Sequence, residues 1–215
     1  MTQANTAPSR GTDLLRLGPV IPVVVLEDVG HAVPVARALA HGGMRIVEVT
    51  LRTDAALGAI ERISAEVPDV LVGAGTVTTP AQVDASIAAG ARFLVTPGSP
   101  EPLLSAALDS GLPVLPGAST LTEIMEVMYR GQRAVKFFPA EASGGAAYLK
   151  AVAGPLPEVQ FCPTGGITAD NAKTYLQLPN VGCVGGSWLT PRAALQAGDW
   201  EQVQLLAAEA TALRP

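Results

Sequence analysis

The 215-residue sequence predicts a single-domain α/β protein, a (β/α)8 TIM barrel entered through a short N-terminal helix. Three observations lead to that class. Eight short apolar segments rich in β-branched residues alternate with helical stretches, at spacings of roughly 20 to 25 residues, the cycle of a parallel sheet covered by helices. The chain has the length at which barrels of about 200 to 250 residues are routinely one domain. Glycine pairs follow the seventh and eighth apolar segments while no GxGxxG follows the first, which favours a closed barrel over an open doubly wound sheet.

Each element has its own local reason. Residues 1–10, MTQANTAPSR, are polar and predict a disordered tail, leaving 11–215 as the barrel domain. A short helix is expected over 13–17, then a first strand in PVIPVVV at 19–25. A helix over 29–40 ends at Gly42 and Gly43. RIVEVTL (45–51) is the second strand, followed by a helix over 54–66 that Asp54 can cap and Pro68 stops. VLVGAG (70–75) is the third, and Pro80 opens a helix reaching residue 89. RFLVTPG (92–98) is the fourth strand, before a helix over 101–110. PVLPGA (113–118) is the fifth, and Thr120 starts a helix to residue 130. RAVKFFP (133–139) is the sixth, with a helix over 146–153 beyond a Gly-rich loop. VQFCPTGG (159–166) is the seventh, with a helix over 168–178, and VGCVGG (181–186) is the eighth. A last helix spans 200–213.

Composition narrows the function. Fourteen basic against 19 acidic residues, with no basic run and 4% aromatics, argue against a nucleic-acid partner. The apolar run LGPVIPVVVL is broken by two prolines and falls short of the roughly 20 residues that span a bilayer, so no membrane partner is expected. The polar start lacks the apolar core of a signal peptide, which points to the cytoplasm. Cys162 and Cys183 sit in strand-like surroundings and are read as buried free thiols. His31 and His41 fall in the first helical segment without ligand spacing, so packing or surface roles are expected and no metal is implied.

The chemistry centres on Lys136. Of three lysines, Lys150 and Lys173 lie on polar helix faces, whereas Lys136 falls inside a strand. Alternation puts Ala134, Lys136 and Phe138 on one face and Val135 and Phe137 on the other. An ammonium aimed into an apolar interior is costly unless paired, solvated or neutral. Lysines so placed serve as nucleophiles toward carbonyls, although one at a strand end can also snorkel to water. In the second strand Val47, Val49 and Leu51 can pack outward, leaving Ile46, Glu48, Thr50 and Arg52 on the opposite face. Glu48 is then a mid-strand carboxylate, either a functional group or half of a structural ion pair with Arg52 or Lys136. Thr76 and Thr164 would add hydroxyls at the same rim, although either could be an ordinary helix cap. Gly165 and Gly166 after the seventh strand, and Gly185, Gly186 and Ser187 after the eighth, stand where these barrels hold phosphate. Phe138 and Pro97 complete the expected pocket with Thr164.

With those residues in place, the chain resembles the class I 2-keto-3-deoxy-6-phosphogluconate (KDPG) and 4-hydroxy-2-oxoglutarate aldolases. The likeness runs from about Gly18 to the final helix, in EVTLRT (48–53), VGAGTV (72–77), VKFFPAE (135–141), FCPTGGI (161–167) and GGSWL (185–189). It implies a homotrimer of barrels without a metal or other cofactor, acting on a phosphorylated keto acid. It further implies that Lys136 forms a Schiff base, Glu48 carries protons, Arg52 and Thr76 hold the pyruvyl carboxylate, and Gly165, Gly166 and Ser187 hold the phosphate. Two other classes fit the barrel and its phosphate loops: a phosphosugar epimerase or isomerase, and a non-catalytic phosphosugar-binding protein.

Overall fold

The computed structural model describes residues 10–213; apart from Arg10, the expected disordered tail lies outside the described residues. The chain forms an α/β fold built on a curled parallel sheet. Its strands are β1 (Val20–Val24), β2 (Ile46–Thr50), β3 (Leu71–Gly75), β4 (Leu94–Val95), β5 (Val114–Leu115), β6 (Gly117–Ala118), β7 (Ala134–Phe137), β8 (Gln160–Pro163) and β9 (Val184–Gly186). The first sheet has the order β5-β4-β3-β2-β1-β9 and the second the order β6-β7-β8. Only Pro116 separates β5 from β6, and single parallel bridges join Phe161 to Val181 and Thr164 to Gly185.

The helices are α1 (Gly11–Leu14), α2 (Ala32–His41), α3 (Ala56–Glu66), α4 (Pro80–Ala88), α5 (Glu101–Asp109), α6 (Leu121–Tyr129), α7 (Gly145–Val152), α8 (Ala169–Leu176), α9 (Arg192–Ala197) and α10 (Trp200–Thr211). Several starts follow from local chemistry. Thr79 caps α4 by accepting from the Gln82 amide, with Pro80 in the first turn. Thr120 and Glu123 form a capping box on α6, and Thr168 and Asn171 form another on α8.

Strand alternation divides the interior into two apolar layers. Val20, Val24, Val47, Val49, Val72 and Val135 face the helices, and Leu51 packs against that layer, as the period of two predicts. Ile21, Ile46, Leu71, Phe93, Val95, Leu115, Ala134, Cys162 and Cys183 form the other layer, enclosed by the sheet. Leu14 and Leu15, at the end of α1, are buried in that inner layer. Both thiols are buried and neither is in a disulfide.

The structure corrects several expected boundaries. The first helix lies at Gly11–Leu14 rather than 13–17. Asp54 does not cap α3; Ala55 stands at the cap without a side-chain bond, and the neighbouring Thr53 hydroxyl is used on the Leu26 carbonyl instead. The fourth strand shrinks to two residues, and Pro116, which has no N–H to give to a ladder, splits the fifth into β5 and β6. α9 was not expected. Its six residues are too few to show a helical period, and Gly198, at φ 65°, stops it.

Candidate active site

Two strands carry the central pair. Glu48 on β2 lies in register between Val23 of β1 and Gly73 of β3, and Lys136 on β7 lies between Gly117 of β6 and Cys162 of β8. Both side chains point to the enclosed face, and Lys136 Nζ donates to Glu48 Oε1 at 3.1 Å. Each residue is only 2% exposed. Lys136 is therefore neither snorkelling to solvent nor isolated. Two charges this deep lose most of their hydration, and a buried ion pair is weak evidence for stability. A site that keeps one is better explained by chemistry than by folding.

Glycines allow close packing at and beside this pair. A Cβ on Gly75 would fall on the Glu48 carboxylate, and one on Gly117 would meet the Pro97 carbonyl. Lys136 Nζ also sits 5.3 Å from the centroid of the Phe138 ring, within reach of its negative face.

The remaining expected residues lie at or just beyond the C-terminal ends of their strands. Arg52 Nε donates to Thr76 Oγ1 at 3.1 Å. Thr76 has φ 56°, the one non-glycine residue with positive φ among the described residues. That conformation costs a β-branched residue on the order of 1–2 kcal/mol, so neighbouring structure holds it there. Thr164 is buried, and its hydroxyl donates to the Cys162 carbonyl at 3.3 Å. Gly185 lies against that hydroxyl, where any Cβ would collide with it. Gly165 and Gly166 have φ 99° and 78°, open to glycine without strain. Ser187 is exposed and lines a cavity of about 650 Å³ with Val23, Val25, Leu26, Thr190 and Arg192.

Some residues near the site were not anticipated. Buried Thr96 accepts from the Gly117 amide at 3.0 Å, and the Ser99 hydroxyl donates to the Gly117 carbonyl at 2.9 Å. Together they tie the Pro97 turn to the strand beside Lys136. TPGSP reads as turn composition, so only its contacts separate it from an ordinary loop. Arg192 and Glu27 form a 3.1 Å ion pair beside the cavity. His31, expected to pack or lie at the surface, meets Trp200 edge-on at 5.4 Å.

This arrangement of a buried amine, a carboxylate within proton-transfer distance, an arginine at the rim and two glycine-bearing loops can bind a keto acid and form an imine. The comparisons agree with that chemistry. Residues 12–206 match the family model for KDPG and KHG aldolase. The chain is 53% identical over 199 residues to the 2-dehydro-3-deoxy-phosphogluconate aldolase of Dickeya dadantii, covering 93% of each. It is 52% identical over 197 residues to the KHG/KDPG aldolase of Escherichia coli K12, covering 92% of each. Among solved structures, the KDPG aldolase of Legionella pneumophila, with pyruvate captured at low pH as a covalent carbinolamine intermediate, superposes with a TM-score of 0.92 at 44% identity, covering 94% of this chain and 98% of that one. The chain belongs to the KDPG and KHG aldolase family.

Proposed function

We propose that this protein is a class I aldolase that reversibly cleaves 2-dehydro-3-deoxy-6-phosphogluconate to pyruvate and D-glyceraldehyde 3-phosphate through an imine on Lys136. The observation that carries this reading is the buried 3.1 Å contact between Lys136 Nζ and Glu48 Oε1. The covalent carbinolamine of pyruvate in the Legionella relative supports it.

Proton transfer across that contact leaves a neutral amine beside a carboxylic acid. The amine attacks the C2 ketone to give a carbinolamine, and Glu48 returns the proton as water leaves, forming the protonated imine. Glu48, again a carboxylate, takes the C4 hydroxyl proton while the C3–C4 bond breaks. The bond electrons flow into the imine, the aldehyde departs and an enamine remains. The protonated Glu48 then supplies a proton to C3, and water hydrolyses the imine to release pyruvate and Lys136.

Arg52 and Thr76 are assigned to the pyruvyl carboxylate, with Thr164, Phe138 and Pro97 shaping the pocket. Gly165, Gly166, Gly185, Gly186 and Ser187 are assigned to the phosphate, where backbone amides approach an anion without side chains in the way. The Escherichia coli relative's name favours 4-hydroxy-2-oxoglutarate as a second substrate, split to pyruvate and glyoxylate.

We further read the described residues from 11 to 213 as one closed (β/α)8 barrel. Supporting this are the run of pairings from β5 to β9, the β6-β7-β8 sheet, the bridges toward β9 and the single proline between β5 and β6. The self-association that a homotrimer requires is supported by α6, where Leu121, Met125 and Tyr129 are exposed at four-residue spacing as an apolar stripe. A cytoplasmic setting is supported by two buried cysteines, neither in a disulfide.

The test is borohydride reduction in the presence of pyruvate, followed by peptide mapping. One reduced pyruvyl addition on Lys136, absent from Lys136→Ala, is expected. Labelling of Lys150 or Lys173, or no label, would overturn the assignment of the imine to Lys136.

A further inference from the structure

The loop carrying Gly165 and Gly166 is held from outside. The Thr164 carbonyl accepts from the Ala140 amide at 2.8 Å, and the Gly165 carbonyl accepts from the Glu141 amide at 3.1 Å. The Gly166 carbonyl accepts from Asn171 Nδ2 at 3.0 Å. In a trans peptide plane the carbonyl and the following N–H point in opposite directions. These bonds therefore turn the N–H groups of Gly165 and Gly166 away from the β7 loop, and that of Ile167 away from Asn171.

The Glu141 side chain lies under the same loop. A Cβ on Gly166 would come within 2.8 Å of Glu141 Cβ and 2.6 Å of its Cγ. The Tyr175 hydroxyl, on α8, donates to Glu141 Oε1. Tyr175 is 1% exposed, and its pKa is raised, first by burial and then by the hydrogen bond and charge of Glu141. Gly145 leaves room for the contact, since a Cβ there would stand 3.1 Å from Tyr175 Oη and 3.5 Å from Glu141 Oε1. A carboxylate beside loops assigned to an anion is repulsive unless something holds it to the other side. The Tyr175 hydroxyl does so from the helix.

We propose that Glu141 and Tyr175 are positioning residues for the phosphate-bearing end of the substrate: the Tyr175 hydroxyl holds the Glu141 side chain against Gly166, and so steadies the loop whose amide directions the Ala140 and Glu141 backbone sets, without touching the reacting carbons. This rests on the aldolase reading above, in which neither residue takes part in the imine chemistry.

The experiment is steady-state kinetics of the wild type, Tyr175→Phe, Glu141→Leu, Glu141→Gln and the double variant Tyr175→Phe/Glu141→Leu. Each is assayed with the phosphorylated six-carbon acid and with phosphate-free 4-hydroxy-2-oxoglutarate, and calorimetry measures binding of inorganic phosphate. Tyr175→Phe and Glu141→Leu are expected to raise KM for the phosphorylated acid roughly tenfold, the scale of one hydrogen bond to a charged group, with kcat within about twofold of wild type. KM for the phosphate-free acid stays unchanged and phosphate binding weakens in parallel. The double variant loses no more than either single one, because one contact is removed in each. Glu141→Gln keeps an oxygen for the tyrosine and stays close to wild type. A rise shared equally by both substrates, additive losses in the double variant, or a lower melting temperature with unchanged KM values would overturn the proposal. If Tyr175→Phe does not fold, the Glu141→Leu and Glu141→Gln comparison decides. A wild type that cleaves neither substrate would sink the aldolase reading alone, leaving inorganic phosphate binding to decide the positioning role.

Discussion

Lys136 and Glu48 hold each other in place where neither would be tolerated singly. Removing one partner of a buried pair strands the other charge at a cost of roughly 3–5 kcal/mol, so the conservative test is to keep the shape and lose the charge. Glu48→Gln is expected to slow cleavage on the order of 10²- to 10⁴-fold, the usual worth of a positioned acid or base, read by pyruvate release. An unchanged rate would assign proton transfer to another group. Gly75 gives a second test, because its missing side chain is the space that the Glu48 carboxylate fills. Gly75→Ala should cut kcat at least about tenfold through a displaced Glu48, while circular dichroism keeps the wild-type spectrum. A fully active Gly75→Ala enzyme would mean that the carboxylate position is not critical. Lys136 and Glu48 stood out in the sequence because a charge inside an apolar strand is conspicuous. Thr96 and Ser99 did not, because hydroxyls after a strand look like any turn.

At the level of single elements, α6 is the clearest case of local chemistry setting a boundary. Glu123 accepts from the Ser119 amide at 2.8 Å, the Thr120 amide at 2.9 Å and the Ser119 hydroxyl at 3.1 Å. These bonds, the Ser119 amide foremost, hold its carboxyl below the ordinary glutamate range. A depressed carboxyl pKa stabilises the fold above its unfolded value, near 4.3, and that contribution is lost as pH falls through the folded value. Glu123→Gln should therefore lower the melting temperature at pH 7, and its deficit should shrink toward pH 3. A deficit constant with pH would show that the carboxylate charge plays no part. The Thr120 start of this helix was legible because capping boxes are written in a few adjacent residues. The Asp54 cap failed for the complementary reason: a capping residue type shows that a cap is possible, whereas the path of the chain from β2 decides whether it is used.

Across the molecule, the inner apolar layer depends on a segment outside the candidate site. Leu14 is fully buried among inner-layer residues of β1, β2, β3, β5, β7 and β8, so α1 fills the inner layer that the sheet alone would leave incomplete. Leu14→Ala should cost about 2–5 kcal/mol, seen as a lower urea midpoint with an unchanged slope. A loss under about 1 kcal/mol would mean the interior closes without the helix. Such a plug could not be read from the four helical residues themselves, whose role comes from what they cover.

The sequence by itself determined the alternation of strands and helices, the inward set on β2 and β7, the glycines of the two late loops and the one lysine that falls inside a strand. All of these are written in periods of two or in neighbouring residues. Only the tertiary structure decided that Nζ and Oε1 stand 3.1 Å apart across 88 residues of chain, that Arg52 reaches a left-handed Thr76, and that Tyr175 holds Glu141 beneath Gly166. Distances of that kind depend on strand register and sheet curvature, which many long-range contacts set together and no local pattern encodes.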